Sequence, residues 1–231
     1  MIRRLLNSPS FLRIAEVFDR RTENRMSEFG MLAQAFEFAK INGVIGDYFE
    51  FGVWRGKTFR WAHLMKHRYG LNEMKLWAFD SFSGLPDVAP QADNIWKKGQ
   101  FACSLDEFRQ IMASAGVGTH EYETVPGYYS ESLNDHLRAR IGQRQAAVVY
   151  IDCDLYESTA DALRFVGAHL AHGAILCFDD YYNYKAAPDQ GEARALAEFR
   201  SANPDLDVMP YFNYAPLGAS FIVRRREPSR V

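Results

Sequence analysis

Short apolar runs recur along this chain, and most of them stop at an acid or a glycine. Residues 47–51, 75–80, 121–126, 146–152 and 174–179 read as strands. Runs of that length, bounded by polar residues, suit strands buried on both faces. Helical spacing fills the gaps: 57 to about 69, 104 to about 115, 158–172 and 190–202. Ser104-Leu105-Asp106-Glu107 reads as a helix N-cap. Ser27 can cap a helix over 27–42 that carries Phe29, Leu32, Phe36 and Phe38 and stops at Asn42-Gly43. Residues 1–25 look helical and amphipathic. Near the end, 207–214 and 218–224 form two strands joined through Pro216 and Gly218, a hairpin signature. Strand–helix alternation ending in a hairpin predicts a mostly parallel sheet with one antiparallel strand. The expected organisation is one α/β domain over 45–231 and an N-terminal helical extension over 1–44. That extension would serve as core cover, dimer contact or lid.

Composition narrows the class. A chain of 231 residues can bury a sizeable single core. Its 48% hydrophobic and 24% charged residues are ordinary for a globular protein. A net charge of -2 gives no electrostatic case for nucleic acid or an anionic membrane as partner. Arg3 and Arg4, and Arg224 to Arg226, read as solvated tails. No stretch approaches the ~20 apolar residues needed to span a bilayer, and the start lacks the apolar segment of a signal peptide. Cys103, Cys153 and Cys177 form no Cys-x-x-Cys pair, so reduced thiols in a cytoplasmic protein are expected.

The candidate chemistry sits at the strand ends. A right-handed crossover between 146–152 and 174–179 puts both C-termini on one sheet edge, where ligands of open α/β sheets bind. Asp152 and Asp154 would meet Asp179 and Asp180 there. Four carboxylates at close range repel unless a cation sits among them, and all-oxygen ligands suit Mg²⁺, Mn²⁺ or Ca²⁺. The plainer reading has Asp154 capping the next helix and Asp180 facing solvent. Strand, glycine turn and helix over 47–69 make a nucleotide cradle, with free N–H groups at the helix start. Trp54 stands where a dinucleotide fingerprint needs its second glycine, and Gly56-Lys57-Thr58 lacks the earlier glycine of a Walker loop. Glu50 suits a cationic ligand portion. Asp80 suits ribose hydroxyls or, more plainly, a turn. Trp96, Lys97 and Lys98, in the long loop 83–100, could close over a ligand, and the aromatic turn 127–132 could pack on a purine. His63 and His67 have zinc-ligand spacing, but no Glu follows His63 and no third ligand is nearby in sequence. His169 and His172 are placed at a helix C-terminus, where the partial charge favours them. No Gly-x-Ser-x-Gly elbow is present, which disfavours a serine hydrolase.

Five blocks, taken in order, resemble one family. They are Phe-Glu-Phe-Gly-Val-Trp-Arg-Gly-Lys-Thr (49–58), Phe-Asp-Ser-Phe-Ser-Gly-Leu-Pro (79–86), Trp-Lys-Lys-Gly-Gln-Phe (96–101), Asp-Cys-Asp-Leu-Tyr-Glu-Ser-Thr (152–159) and Phe-Asp-Asp-Tyr (178–181). Together they resemble the macrocin O-methyltransferases, S-adenosylmethionine-dependent sugar O-methyltransferases of macrolide and aminocoumarin biosynthesis. The resemblance implies a class I methyltransferase, Rossmann-like fold with a seven-stranded sheet. It implies S-adenosylmethionine at Glu50, Gly52, Val53, Arg55, Gly56, Thr58, Asp80, Ser81, Gly127, Tyr128 and Asp152. It implies Mg²⁺ at Asp152, Asp179 and Asp180, with Asp154 as general base and Asp152 the other candidate for that role. The acceptor would be a hydroxyl of a small molecule, a sugar or vicinal diol of a natural product or saccharide. A homodimer is compatible with the apolar N-terminal helices. Two features depart from the pattern: the turn 127–131 lacks an aspartate near the adenine, and the loop after Tyr181 is rich in tyrosine. The competing reading is a Rossmann-type oxidoreductase using NAD or a nucleotide sugar, for which Tyr181 and Lys185 have the Tyr-x-x-x-Lys spacing.

Overall fold

The computed structural model describes residues 27–87 and 96–226. The expected helix over 1–25, the tail residues Arg3 and Arg4, and the middle of the 83–100 loop lie outside the described residues. Among the described residues, sixteen short elements build three layers. The first helix, α1 (Glu28–Ile41), is capped by Ser27, whose hydroxyl accepts from the Gly30 N–H at 3.3 Å. Then follow β1 (Asp47–Phe51), α2 (Lys57–Arg68), β2 (Leu76–Asp80), α3 (Leu105–Ser114), β3 (Tyr122–Pro126), the single turn α4 (Tyr129–Ser132) and α5 (Asp135–Ile141). The second half holds β4 (Ala146–Ile151), α6 (Tyr156–Val166), a 3-10 turn (Gly167–His169), β5 (Leu170–Phe178), the turn α7 (Asn183–Ala186), α8 (Gly191–Ala202), β6 (Leu206–Tyr214) and β7 (Gly218–Arg225).

The strands form one seven-stranded sheet in the order β3-β2-β1-β4-β5-β7-β6. β7 is antiparallel to both neighbours, and every other pairing is parallel. All of β1 and β4 is buried, as continuous apolar runs covered by helices on both faces require. The strand order reverses between β1 and β4, and a crevice opens at such a switch point, outside the strand C-termini. The opposite edge is tied by buried Asp47. Its carboxylate accepts from the Lys75 N–H, the Trp77 indole and the Arg144 guanidinium. Helix α1 buries Met31, Leu32, Ala35, Phe36 and Ala39 in the same core as the sheet, with Phe36 against Tyr48 at 5.6 Å between ring centroids.

One boundary differs from the periodicity. The expected helix over 158–172 ends at Val166, and β5 begins at Leu170, four residues before the expected strand. Leu170 pairs with Ala146 of β4, and Gly173, at φ +88°, takes up the register shift that follows. His172 therefore lies in a strand, where its Nδ1 accepts from the Arg225 N–H, and not at a helix C-terminus.

Candidate active site

A cavity of about 540 Å³ opens at the strand C-termini, within the size range of small-molecule sites. One wall is the turn from β1 into α2. Gly52 has φ +87°, and a Cβ there would sit 1.9 Å from the Asp152 carbonyl oxygen. Only glycine lets the exits of β1 and β4 abut this closely. Val53, Trp54, Lys57 and Thr58 complete the wall. Gly56 enters α2 in the left-handed conformation without a side-chain cap, so the first-turn N–H groups stay open to a ligand.

Asp80 lies on the adjacent wall and already has backbone partners. One carboxylate oxygen accepts from the Val53 and Trp54 N–H groups at 2.9 and 3.0 Å, and the other from Phe82 at 2.7 Å. It thus locks the β1 turn to the β2 turn. Burial raises its pKa against those hydrogen bonds. Ser81 and Tyr128 also line the cavity. The exposed Trp54 ring meets Phe101 at 5.7 Å, and Phe101 meets Trp96 at 6.0 Å, an aromatic rim over the opening. Of the loop residues expected to close over a ligand, Trp96 lines the cavity, whereas Lys98 pairs with Asp87 at 2.8 Å.

Four of the expected cofactor residues do not line the cavity. Glu50 is fully buried beneath the turn, with one oxygen accepting from Thr58 Oγ1 at 2.6 Å and the other from the Tyr48 hydroxyl. Burial lifts its pKa to about 8, against the lowering by those two hydroxyls. Glu50 thus sits behind the cavity wall and is tied to it through Thr58. Arg55 points away and pairs with Glu107 at 2.7 Å. Gly56 backs onto α3, where a Cβ would meet Met112 Cε at 2.4 Å. Gly127 supports the wall from behind by donating to the Asp80 carbonyl at 3.0 Å.

The floor holds the acids. Asp152, Asp154, Asp179 and Asp180 all face the cavity. Oxygen atoms of Asp152, Asp154 and Asp180 lie within 4.8 Å of one another. Asp179 is set slightly apart, because the Tyr150 hydroxyl donates to its Oδ1. β4 ends at Ile151, and Asp154 has φ +61°. Strand alternation therefore does not set its direction. Asn183 Nδ2 donates to Asp180 Oδ1 at 2.8 Å. Burial pushes all four carboxyls above the usual range. Neighbouring carboxylates push Asp152 and Asp154 further up, whereas hydrogen bonds from Asp154 and Asn183 hold Asp180 back. With oxygens this close, Asp154 and Asp180 titrate as a pair rather than as two independent groups. The donor set is all oxygen, confined and mutually repulsive, which fits a hard divalent cation.

Sequence reading missed the support beneath these acids. Glu192, on α8, is fully buried, and its Oε2 accepts from the Asp180 N–H at 3.0 Å. Burial and then Asp180 raise its pKa well above the ordinary value. Nothing in a polar helix start distinguishes such a residue. After Asp180 the chain makes a left-handed turn, with φ of +56°, +59° and +60° at Tyr184, Lys185 and Ala186. Strain of this kind gathers at ligand sites. Burial first, then Asp180 and Asp154, raise the Tyr184 phenol above its ordinary pKa. Glu157, Ser158 and Asp161, at the start of α6, line the same side of the cavity. Tyr181 packs on Phe221 at 5.2 Å, and neither it nor the exposed Lys185 reaches the cavity, so the Tyr-x-x-x-Lys spacing forms no site.

The family model described as Macrocin-O-methyltransferase (TylF) matches residues 22–207. The 8-demethyl-8-(2,3-dimethoxy-alpha-L-rhamnosyl)-tetracenomycin-C 4'-O-methyltransferase of Streptomyces olivaceus is 29% identical over 157 residues, 65% of this chain and 58% of the relative. The mycinamicin III 3''-O-methyltransferase of Micromonospora griseorubida is 26% identical over 165 residues, 68% of this chain and 63% of the relative. The chain thus spans about three-fifths of the length of these curated relatives. The solved O-methyltransferase NovP superposes with a TM-score of 0.71 at 23% identity, covering 86% of this chain and 79% of its own, and so shares the fold.

Proposed function

The chain belongs to the macrocin O-methyltransferase family, and we propose that it methylates a sugar-type hydroxyl of a small molecule, with S-adenosylmethionine as donor and a divalent cation at the acid floor. The observation that carries this reading is the cluster of acids lying beside the glycine turn, within one cavity.

The wall from Gly52 to Thr58 and the open start of α2 suit the donor's amino-acid portion, and the remaining lone pair of Asp80 suits its ribose. Tyr128 and the Trp54–Phe101 rim offer apolar surface for the adenine. When bound, the donor supplies an electrophilic methyl group, and the cation orients adjacent hydroxyls and lowers the pKa of the attacking one. Asp152 and Asp180 are the shared anchors for that cation. Asp179, oriented by Tyr150, takes the third position through its free oxygen, since such outer contacts fix a ligand's direction. Asp154, on the cavity floor beside the cation's anchors, is left for the remaining task, removing the acceptor's proton; general-base assistance is worth ~10²–10⁴-fold. A second arrangement rests on the 4.8 Å grouping: Asp154 as third ligand in place of Asp179. Asp154→Asn separates the two. It keeps the cation and loses turnover if Asp154 is the base, and loses both if it is a ligand.

Glu157, Ser158 and Asp161 give the acceptor side several hydrogen-bonding groups, which suits a polyhydroxylated acceptor. The rhamnosyl group in the Streptomyces relative's name is of that type. Calorimetry with S-adenosylhomocysteine and with NAD⁺ tests the donor: binding of the first alone is expected, and binding of NAD⁺ alone overturns the reading. Methyl transfer to a panel of rhamnosides, with Mg²⁺ or excess EDTA, tests the rest. Full turnover in EDTA removes the cation from the mechanism.

A further inference from the structure

A second cluster of ligand atoms lies at the opposite edge of the sheet. Helix α2 starts at the cavity and runs back along the sheet for about 18 Å, given its 12 residues. Its far half carries His63 and His67, one turn apart. Glu121, the residue before β3, rises beside them, so the third partner that the local sequence lacks comes from an element more than fifty positions away. His63 Nε2 lies 3.0 Å from Glu121 Oε1, and His67 Nε2 lies 3.0 Å from the same oxygen. The two Nε2 atoms are 3.1 Å apart. The three donor atoms make a nearly equilateral triangle.

Hydrogen bonds to Glu121 account for at most two edges of that triangle. If both Nε2 atoms carry protons toward the carboxylate, two N–H groups oppose each other along the His–His edge. If only one does, the lone pair of the other faces the carboxylate oxygen at 3.0 Å. No choice of tautomers satisfies all three edges. Three lone pairs converging on a cation do. A point about 2.05 Å from each donor, a usual zinc–nitrogen or zinc–oxygen length, exists above the triangle and sees them at angles of about 95°. The other oxygen of Glu121 accepts from the Gly118 N–H at 3.1 Å, an outer contact that fixes the carboxylate. Lys66 Nζ lies 3.9 Å from Glu121 Oε1, and its charge works against a metal. His63 and Glu121 are largely buried, whereas His67 is half-exposed, leaving an open side for water as a fourth ligand.

We propose that His63, His67 and Glu121 form a Zn²⁺ site that pins the end of α2 to the edge strand β3. Nitrogen ligands paired with one carboxylate suit zinc over Mg²⁺ or Ca²⁺, so this site and the all-oxygen floor of the cavity sort different ions. The proposal is independent of the methyl-transfer reading.

Chelator-stripped protein, held in excess Mg²⁺ to occupy the acid floor, is titrated with Zn²⁺ by calorimetry. One zinc equivalent is expected in the parent chain and in the Asp152→Asn/Asp180→Asn variant. His67→Ala is expected to weaken it at least ~100-fold, and Glu121→Gln likewise. Co²⁺ in place of Zn²⁺ should give visible d–d bands that His67→Ala abolishes. Zinc should raise the Tm of the parent chain and leave that of His67→Ala unchanged. If His63→Ala/His67→Ala fails to fold, His67→Gln, at a half-exposed position, gives the same readout. No zinc uptake by the parent chain overturns the proposal. So does uptake that survives His67→Ala but disappears with Asp152→Asn/Asp180→Asn.

Discussion

The two ends of helix α2 hold opposite solutions to crowded ionisable groups. At its start, four aspartates and Glu192 share a buried floor, and their pKa values rise because burial and like charge both disfavour ionisation. At its far end, one glutamate stands between two imidazoles, and its pKa falls to about 2. The first arrangement is unstable until a cation or a proton enters it. The second is neutralised by its own neighbours and by a fixed N–H group. Functional sites are where the unfavourable kind is tolerated, because the strain is relieved by what binds there.

The contrast breaks most sharply at the floor. Asp154→Asn should lower methyl transfer by ~10²–10⁴-fold while S-adenosylhomocysteine binding stays intact. Asp180→Asn should do at least as much, and the double variant should be little worse than either, since the pair acts as a unit. Steady-state kinetics with calorimetry checks this. A double variant that loses the product of the two single effects would separate their roles.

Next in size is Gly52→Ala. The new methyl group would meet the Asp152 carbonyl at 1.9 Å in a left-handed backbone. A loss of about 3 kcal/mol or more is expected in urea unfolding, from strain and steric conflict together. Any remaining folded protein should bind divalent ions weakly, because Asp152 moves. Unchanged stability would mean that the two strand exits do not abut.

Glu50 sharpens the comparison as a buried acid whose direct partners are two hydroxyls. Burial raises its folded pKa to about 8, against about 4.5 for a free glutamate. Below pH ~4.5 the carboxyl is protonated in both states, and it carries no penalty. Between ~4.5 and ~8 the unfolded chain releases the proton first, so stability falls as pH rises, by at most ~1.4 kcal/mol per pH unit. Glu50→Gln should remove that slope and leave the mutant relatively more stable at pH 8 than at pH 5. Equal pH dependence in both proteins would place the titration elsewhere.

The smallest effect belongs to the far end of α2. Without zinc, His67→Ala removes a half-exposed pair, so stability should change by no more than ~1 kcal/mol. A large loss in metal-free buffer would show that the triad holds the edge strand without a metal.

Much of this architecture is legible in the chain. Apolar runs ending in acids mark β2, β4 and β5, and one ending in a glycine marks β1, because strands covered on both faces are mostly apolar. Ser27 and Ser104 mark two helix starts, because their hydroxyls bond to the open N–H groups. The pairs Asp152/Asp154 and Asp179/Asp180 announce the floor, because parallel strands must deliver their C-termini to one edge. Other features have no local signal. Leu170 to His172 looks like helix until pairing with β4 claims it. Glu50 and Asp80 look like ligand-facing acids. Burial makes the first a neutral support, and backbone N–H groups make the second a lock between turns. Glu192 and Glu121 sit in unremarkable polar surroundings and matter only through partners distant in sequence. The sequence by itself determined the order of strands and helices and the place where chemistry gathers, since both follow from local polarity and chain direction. Tertiary structure alone decided which acids touch, which carry protons and which meet histidines, since charge and hydrogen bonding act through space rather than along the chain.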